Sequence, residues 1–170
     1  MERVVIVDEN DNFVRICERD AWNDGEIHRV SSLWVSNSKG EVLLAQRALT
    51  KKHAPGQWGP AAAGTVNEGE TYETNVVKEA EEEIGLRVEI EQLVPGHKEL
   101  LGKPNNRRFR QWFMTKLDVD LSSLKLQEEE VAAVKWQHWS ELERDLLEHP
   151  DKFVGGSFPP LIKWTKNSIA

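Results

Sequence analysis

The stretch from about Thr71 to Ile84 constrains the fold more than any other part of this 170-residue chain. Apolar residues recur at positions 76, 80 and 84, with a further one at 77, which is the spacing of one face of an α-helix. Thr71 is suited to cap the N-terminus of this helix, and Gly85 stands where a left-handed C-terminal residue is expected. The pattern predicts a helix that packs one face against a sheet.

Three carboxylates lie beside the apolar stripe of this predicted helix. Glu79, Glu82 and Glu83 differ by three and four positions, so their side chains fall within an arc of about 100° around the helix axis. Like charges at this spacing destabilise an isolated helix by about 0.2–0.5 kcal/mol per pair. A helix that collects them either exposes this face to solvent or binds a cation there, and the helix alone does not decide between the two.

The remaining sequence predicts a mixed α/β domain. Runs of β-branched and aromatic residues indicate strands, and turn residues inside the first two pairs of runs indicate two hairpins. A Ser-x-x-Glu pattern predicts that the second helix starts at Ser140. We find no repeat or linker and expect one domain over residues 1–170. The predicted strands cover residues 4–7, 13–17, 28–36, 41–47, 87–94, 107–117 and 131–136, and the predicted helices cover 71–84, 140–149 and 158–164.

Composition narrows the class of function. The chain has 22 Lys and Arg against 29 Asp and Glu, a net charge of −7, which disfavours a nucleic-acid polymer as partner because the polyanion would be repelled. No stretch reaches the ~18–20 apolar residues of a membrane span, and the first residues lack the apolar region of a signal peptide. We therefore expect a cytoplasmic protein without a membrane partner. The single cysteine, Cys17, excludes an internal disulfide framework and a multi-cysteine zinc site.

The acidic helix belongs to a longer motif over residues 64–86, which we call the box. Its spacing is Gly-x5-Glu-x7-Lys-Glu-Ala-x-Glu-Glu-x-Gly-Leu, formed by Gly64, Glu70, Lys78, Glu79, Ala80, Glu82, Glu83, Gly85 and Leu86. This motif resembles the Nudix box of the Nudix hydrolase superfamily, except that Lys78 replaces an Arg and Ala80 replaces a bulkier aliphatic residue. The resemblance implies an α+β fold, the Nudix α/β/α sandwich with a mixed β-sheet, here with an N-terminal hairpin appended.

The resemblance also implies a reaction and its residues. Glu79, Glu82 and Glu83 are the expected catalytic residues and metal ligands, with Glu79 as the group that orients the attacking water or as another ligand, and the Gly64 carbonyl as a further ligand. Hard oxygen ligands suit Mg²⁺, with Mn²⁺ as an alternative. Such an ion polarises a phosphoryl group while water attacks in line. The expected reaction is Mg²⁺-dependent cleavage of a pyrophosphate bond in a nucleoside-diphosphate-linked or related small molecule.

The segments His28–Val30, Leu43–Lys52 and Pro55–Trp58 extend the resemblance to a subgroup, the isopentenyl-diphosphate isomerases and isomerase-like Nudix hydrolases. In those isomerases, the Arg and Lys that match Arg47 and Lys51 hold the substrate diphosphate. Both residues are therefore candidates for substrate binding here, although two solvated loop cations would give the same pattern.

Three further residues are candidates for substrate binding. Trp58 follows a Pro-Gly turn near the predicted cleft and is a candidate for stacking on a base or ring. Arg108 and Arg110 share one face of a predicted strand, from which they would contact a phosphate or a ribosyl group. A solvated strand face is an equal alternative for the two arginines.

The isomerase itself is an alternative that the sequence disfavours. Its catalytic cysteine corresponds to Ala63 and its ligand histidine to Thr65, and the strand segment 107–111 contains no carboxylate. Alanine has no proton to transfer to an alkene. A non-catalytic Nudix binding module is a second alternative, disfavoured because the box carboxylates are intact. The resemblance also allows for a homodimer, and the sequence leaves open the substrate, the general base and whether the acidic run 128–130 reaches the metal.

Overall fold

The computed structural model describes residues 1–169, which form nine strands and three α-helices. The helices are α1 (Tyr72–Ile84), α2 (Trp139–Glu148) and α3 (Pro159–Ser168). Among the described residues, no helix has both the length and the apolar character needed to cross a membrane. The strands are β1 (Arg3–Val7), β2 (Phe13–Glu18), β3 (Ile27–Ser36), β4 (Glu41–Arg47), β5 (Trp58–Gly59), β6 (Ala62–Thr65), β7 (Val94–Leu101), β8 (Arg107–Lys116) and β9 (Val131–His138).

Strand β3 joins the parts of the mixed sheet. One of its edges pairs in parallel with β8 over the whole length from Ile27 to Ser36. The other edge pairs in turn with β1, with β6 and, at Ser36 alone, with β4. Strand β4 then leaves β3 and pairs with β5 and β9. The predicted hairpin of β3 and β4 is confirmed as an antiparallel pair joined by a turn, but its pairing is limited to Ser36 and Val42, after which β4 pairs with β5 and β9 instead.

Alternating residues of β3 face two separate apolar layers. Leu33 and Val35 belong to the buried cluster that includes the α1 residues Val76, Ala80 and Ile84. Trp34 points the other way, into a buried cluster that contains residues of α2 and α3, among them Leu142, Leu161 and Ile162. Helices therefore cover both faces of the sheet, and the expected α/β/α sandwich is confirmed.

Local side-chain chemistry fixes both ends of α1 as predicted. The Thr71 side chain accepts a hydrogen bond from the Thr74 N–H, and the Thr74 hydroxyl accepts one from the Thr71 N–H, which forms a reciprocal N-terminal cap. Gly85 ends the helix in the left-handed conformation with φ of 69°, where a side chain would be strained. The apolar stripe of α1 therefore points at the sheet over its whole length.

Several predicted element boundaries were wrong for identifiable reasons. The predicted strand 87–94 is an irregular segment followed by a 3₁₀ helix at Ile90–Gln92, and β7 starts only at Val94. Val88 is buried against α1 without strand pairing, so the apolar alternation there came from core packing. Helix α2 starts at Trp139, one residue before the predicted start, because the His138 side chain accepts the Ser140 N–H and caps it.

The predicted N-terminal hairpin, formed by β1 and β2, is tied to the rest of the fold through its turn residue Asp11. The Asp11 carboxylate accepts hydrogen bonds from Arg29 Nε at 2.7 Å, Lys98 Nζ at 2.5 Å and the Tyr72 hydroxyl at 3.0 Å. Burial opposes ionisation of this carboxyl, but the hydrogen bonds from Lys98 and Arg29 outweigh it and lower the pKa of Asp11. One side chain thus connects the hairpin to β3, to β7 and to the first residue of α1.

We expect Asp11→Asn to lower the free energy of unfolding by about 1–3 kcal/mol, because it leaves the partly buried Arg29 and the more exposed Lys98 without a counter-charge. Asparagine tolerates the left-handed backbone of residue 11, where φ is 63°, so the charge alone is tested. Urea unfolding measures the difference. The control is Glu9→Gln, which breaks a surface pair with Arg107 and should cost less than about 1 kcal/mol. Equal losses in the two variants would contradict this role of Asp11.

Candidate active site

The side chain of Glu79 on α1 packs directly against the backbone of Gly64 on β6. A Cβ atom at residue 64 would lie 2.6 Å from Glu79 Oε1 and closer still to the carbons of that side chain. Only glycine leaves room for the glutamate at this position. The spacing of the motif therefore has a steric cause, since its glycine seats its first helical carboxylate.

A buried asparagine, Asn75, holds this carboxylate in place. Its side-chain amide donates to Glu79 Oε1 at 3.3 Å, to Glu70 Oε2 at 2.8 Å and to the Thr65 carbonyl at 3.0 Å. Its Oδ1 accepts the Ser31 hydroxyl of β3. Sequence reasoning missed Asn75, although an amide next to the apolar stripe and one turn before Glu79 was a signal that could have found it.

Glu70 and Lys78, two residues of the box, form an ion pair. Lys78 Nζ lies 2.5 Å from Glu70 Oε1 and 3.5 Å from Glu79 Oε1. Lysine therefore bridges two box carboxylates as a point charge, without the two-pronged geometry of the arginine that it replaces.

Burial and mutual repulsion hold two of the catalytic candidates in an unusual protonation range. Burial and the charge of Glu82 raise the pKa of Glu79 to about 7, although Lys78 opposes the shift. Burial and the charge of Glu79 raise the pKa of Glu83 to about 8, and the carboxylate accepts only a long hydrogen bond of 3.4 Å from the Ala63 N–H. The carboxylates are thus close enough to destabilise one another's charged forms.

The three helical carboxylates do not enclose an ion as they stand. Glu79 and Glu83 are turned towards β6, whereas Glu82 is exposed. Within residues 1–169, no three acidic, histidine or cysteine side chains come together closely enough to form a ready metal cluster. The donor set still fits a hard divalent cation, because it consists of carboxylate oxygens whose mutual repulsion a cation would relieve. Glu82 is exposed, so its side chain would have to turn towards Glu79 and Glu83 to join them in holding such a cation.

Three of the predicted substrate-binding residues are brought together around Arg47. Its positive charge lowers the pKa of Glu83, and it also lowers the pKa values of Arg108 and Arg110, so it lies near both groups. Arg110 is buried and Arg108 is half-buried on the shared face of β8 that the sequence predicted. Sequence reasoning named these arginines separately, and the topology places them in one neighbourhood.

Lys51, the fourth predicted phosphate-binding cation, already forms an ion pair with Glu130. Its ammonium group is 2.6 Å from Glu130 Oε2, and Glu130 is close enough to raise the pKa of Glu83. Of the acidic run 128–130, this residue is thus the one that reaches the carboxylate site, whereas Glu128 and Glu129 are exposed.

Trp58 is placed less favourably for the role that was predicted. It is half-buried against the apolar cluster on the α2 and α3 side of the sheet. Lys135 Nζ lies over its ring, 4.2 Å from the centroid. A substrate ring that stacks on Trp58 would have to displace Lys135 or use the opposite face.

Comparison with known sequences identifies the family of this domain. The model of the NUDIX domain matches residues 26–155. An uncharacterised Nudix hydrolase of Listeria monocytogenes is 35% identical over 120 residues, which cover 70% of this chain and 68% of the relative. The isopentenyl-diphosphate Delta-isomerase of Klebsiella pneumoniae is 35% identical over 98 residues, which cover 56% of this chain and 52% of the isomerase. The chain thus spans about half the length of that isomerase.

Solved structures with the same fold have lower sequence identity. The crystal structure of a Deinococcus radiodurans protein aligns with a TM-score of 0.72 and 22% identity, and the alignment covers 96% of this chain and 99% of that one. An Ap4A hydrolase of C. elegans aligns with a TM-score of 0.59 and 17% identity, over 83% of this chain and 96% of its own. Taken with the domain match and the box geometry, these similarities show that the chain belongs to the Nudix hydrolase family.

Proposed function

We propose that this protein hydrolyses a pyrophosphate bond in a small molecule of the nucleoside-diphosphate-linked or a related diphosphate type, with Mg²⁺, or alternatively Mn²⁺, as cofactor. The observation that carries the proposal is the placement of Glu79 and Glu83 against β6, partly buried and mutually repelling, with Glu82 immediately before Glu83 on the same helix. Ionised carboxylates that are buried and repel one another lower the stability of the folded state, and a bound cation would offset this cost.

Each box residue has a distinct task in this proposal. Glu82, Glu83 and the Gly64 carbonyl would hold the cation, which supplies charge neutralisation at the phosphoryl oxygens when bound. Glu79 orients the attacking water and accepts its proton, or serves as another ligand of the cation, whose charge would lower the raised pKa of Glu79. Asn75 fixes the orientation of Glu79 through the amide hydrogen bond.

In this proposal, Arg47 and the basic side chains around it bind the substrate. Arg47, Arg108 and Arg110 would bind phosphate oxygens, and Lys51 would join them on release from Glu130. Trp58 remains a candidate for ring stacking after displacement of Lys135. The single-domain organisation, a homodimer and a cytoplasmic location remain predictions from the sequence.

Isomerisation of isopentenyl diphosphate is the competing activity, and the site disfavours it. The position of the isomerase cysteine is occupied by Ala63, which contributes only its backbone N–H to Glu83. The single thiol, Cys17, is buried in the N-terminal hairpin with Val4, Ile6 and Trp22, so it is not available to replace that cysteine.

A substrate panel tests the proposal. Nucleoside diphosphates and triphosphates, nucleotide sugars, dinucleoside polyphosphates and isopentenyl diphosphate would each be incubated with and without Mg²⁺, and released phosphate and nucleotide measured. Mg²⁺-dependent hydrolysis of at least one compound supports the hydrolase. Conversion of isopentenyl to dimethylallyl diphosphate would support the isomerase instead, and binding without any turnover would support a non-catalytic module.

Glu82→Gln and Glu83→Gln should each lower kcat by about 10²–10⁴-fold, because each removes a negative charge from the proposed cation site or its neighbourhood. The matched control is Glu81→Gln on the same helix, whose exposed side chain pairs with Arg87 away from the site. Steady-state kinetics on the best panel substrate, with circular dichroism to confirm folding, provide the measurement. A control variant as slow as the other two would show that the effect is not specific to the site.

Without metal, the protein should become less stable as pH rises. Glu79 and Glu83 have folded-state pKa values of about 7 and about 8, above their ordinary value of 4.5. Between pH 4.5 and these values the folded state binds more protons than the unfolded state, so stability is lost as the pH rises through this range. We expect the Tm in EDTA to fall between about pH 5 and about pH 8.5 by about 3–6 °C for each pKa unit by which these folded-state values exceed 4.5, since one pKa unit is about 1.4 kcal/mol and about 1 kcal/mol moves the Tm of a domain of this size by about 2–4 °C.

Added Mg²⁺ should recover this stability above about pH 7, where the carboxylates are ionised. Differential scanning calorimetry with EDTA or Mg²⁺ gives both curves, and Glu83→Gln should flatten the curve in EDTA. A slope that is the same in this variant would assign the pH dependence to other groups.

A further inference from the structure

Three arginines of this protein differ from the rest in having no carboxylate partner while being at least partly buried. Within residues 1–169, six of the ten arginines have a carboxylate oxygen within 4 Å. Of the other four, Arg144 is exposed on α2. The remaining three are Arg47, Arg108 and Arg110. Arg108 and Arg110 lie two residues apart on one face of β8, and the charge of Arg47 is near enough to add to burial in lowering the pKa values of both.

Each of these arginines is held by a backbone carbonyl. Arg47 Nε donates to the His53 carbonyl at 2.9 Å, Arg108 donates to the Asn106 carbonyl at 3.4 Å, and Arg110 donates to the Gly155 carbonyl at 2.6 Å. A carbonyl orients a guanidinium group but does not neutralise it, and each fork keeps further N–H donors. The carbonyls therefore position the arginines without neutralising them, and Arg110 also lies over the Trp112 ring, 5.3 Å from its centroid.

Arg110 is the most buried of the three arginines. It is only 7% exposed, and its Nε–H is buried without an acceptor. Burial, and next the charge of Arg108, lower its pKa to about 10. An unpaired buried cation with an unused donor is expensive unless a ligand supplies the missing charge and acceptor.

One carboxylate, Glu99 on β7, lies near Arg108 and Arg110 and offsets part of their positive charge. Its oxygens are already used by His97 Nε2 at 2.9 Å and by the Ser157 N–H at 3.0 and 3.3 Å. Glu99 therefore balances at most one of the three positive charges. Arg47 is also attracted by Glu83, but a cation on the box carboxylates would cancel that attraction.

We propose that Arg47, Arg108 and Arg110 form a subsite for a phosphate monoester dianion, so that the substrates of this enzyme carry a free terminal phosphate. This deepens and rests on the proposed diphosphate hydrolysis. Three guanidinium groups against one carboxylate match a group with two negative charges better than a neutral sugar or alcohol. Nucleoside diphosphates and triphosphates carry such a group, whereas nucleotide sugars have their terminal phosphate capped.

The first test is binding of inorganic phosphate in EDTA, followed by phosphorus NMR, which does not depend on hydrolysis. We expect wild-type protein to bind phosphate and Arg108→Gln to weaken that binding at least about tenfold, the usual effect of losing a hydrogen bond to a charged group. Arg110→Lys should weaken it too, and thermal unfolding reports whether this buried variant is folded.

The matched control is Arg107→Gln. Arg107 precedes Arg108 on β8, points to the opposite face and pairs with Glu9 at 3.1 Å, so its loss should leave phosphate binding unchanged. No binding by the wild type, or equal weakening by Arg107→Gln and Arg108→Gln, overturns the subsite.

The second test is selectivity in the presence of Mg²⁺. ADP would be compared with ADP-ribose, and UDP with UDP-glucose, because each pair differs only in the cap on the terminal phosphate. Arg108→Gln should lower kcat/KM for the uncapped compounds about 10–100-fold and for the capped ones less than about threefold. Equal losses would show that the arginines bind the shared diphosphate, and a preference of the wild type for capped compounds would overturn the proposal.

Failure of the two proposals can be told apart. An enzyme that hydrolyses nothing but binds phosphate through Arg108 has the subsite and lacks the proposed activity. An enzyme that hydrolyses capped and uncapped diphosphates alike, with no phosphate binding in EDTA, has the activity and lacks the subsite.

Discussion

The packing of Glu79 on the backbone of Gly64 is the contact on which the rest of the site depends. It brings an ionisable group against the sheet, and the apolar stripe of α1 holds it there. Val76 and Ile84 are fully buried, and each burial contributes about 1.5–3 kcal/mol, which exceeds the cost of about 0.2–0.5 kcal/mol for a pair of like charges along the helix. The hydrophobic core therefore stabilises an electrostatically unfavourable arrangement, and a bound cation would relieve it.

Unfavourable charges of opposite sign accumulate on two sides of Arg47. Burial and neighbouring negative charges raise the pKa values of Glu79 and Glu83 on α1, whereas burial and neighbouring positive charges lower the pKa values of Arg108 and Arg110. Arg47 lies near both groups, since its charge affects the pKa values of Glu83, Arg108 and Arg110. A divalent cation and a phosphorylated compound, bound together, would neutralise both groups at once.

The sequence was sufficient for those features that depend on neighbouring residues. The extent of α1, its two caps and the arc of Glu79, Glu82 and Glu83 follow from spacing along one helix. The β6 strand was missed because Ala62 and Ala63 are small residues without an apolar alternation, and their strand state comes from pairing with β3. The meeting of Arg47 with the β8 arginines was also beyond the sequence, because it depends on how distant strands pair.

Register is what converts the core of β8 into the geometry of the arginines. Alternate residues of this strand face opposite sides, so Trp112 and Met114 share a face with Arg108 and Arg110, whereas Phe113 faces α1. A slip of one residue against β3 would send the two aromatic residues into the wrong layers and turn both arginines to the other face. The burial of Trp112 and Phe113 therefore determines on which face of β8 the guanidinium groups of Arg108 and Arg110 lie. In this way core side chains that contact no ligand position the residues proposed to bind one.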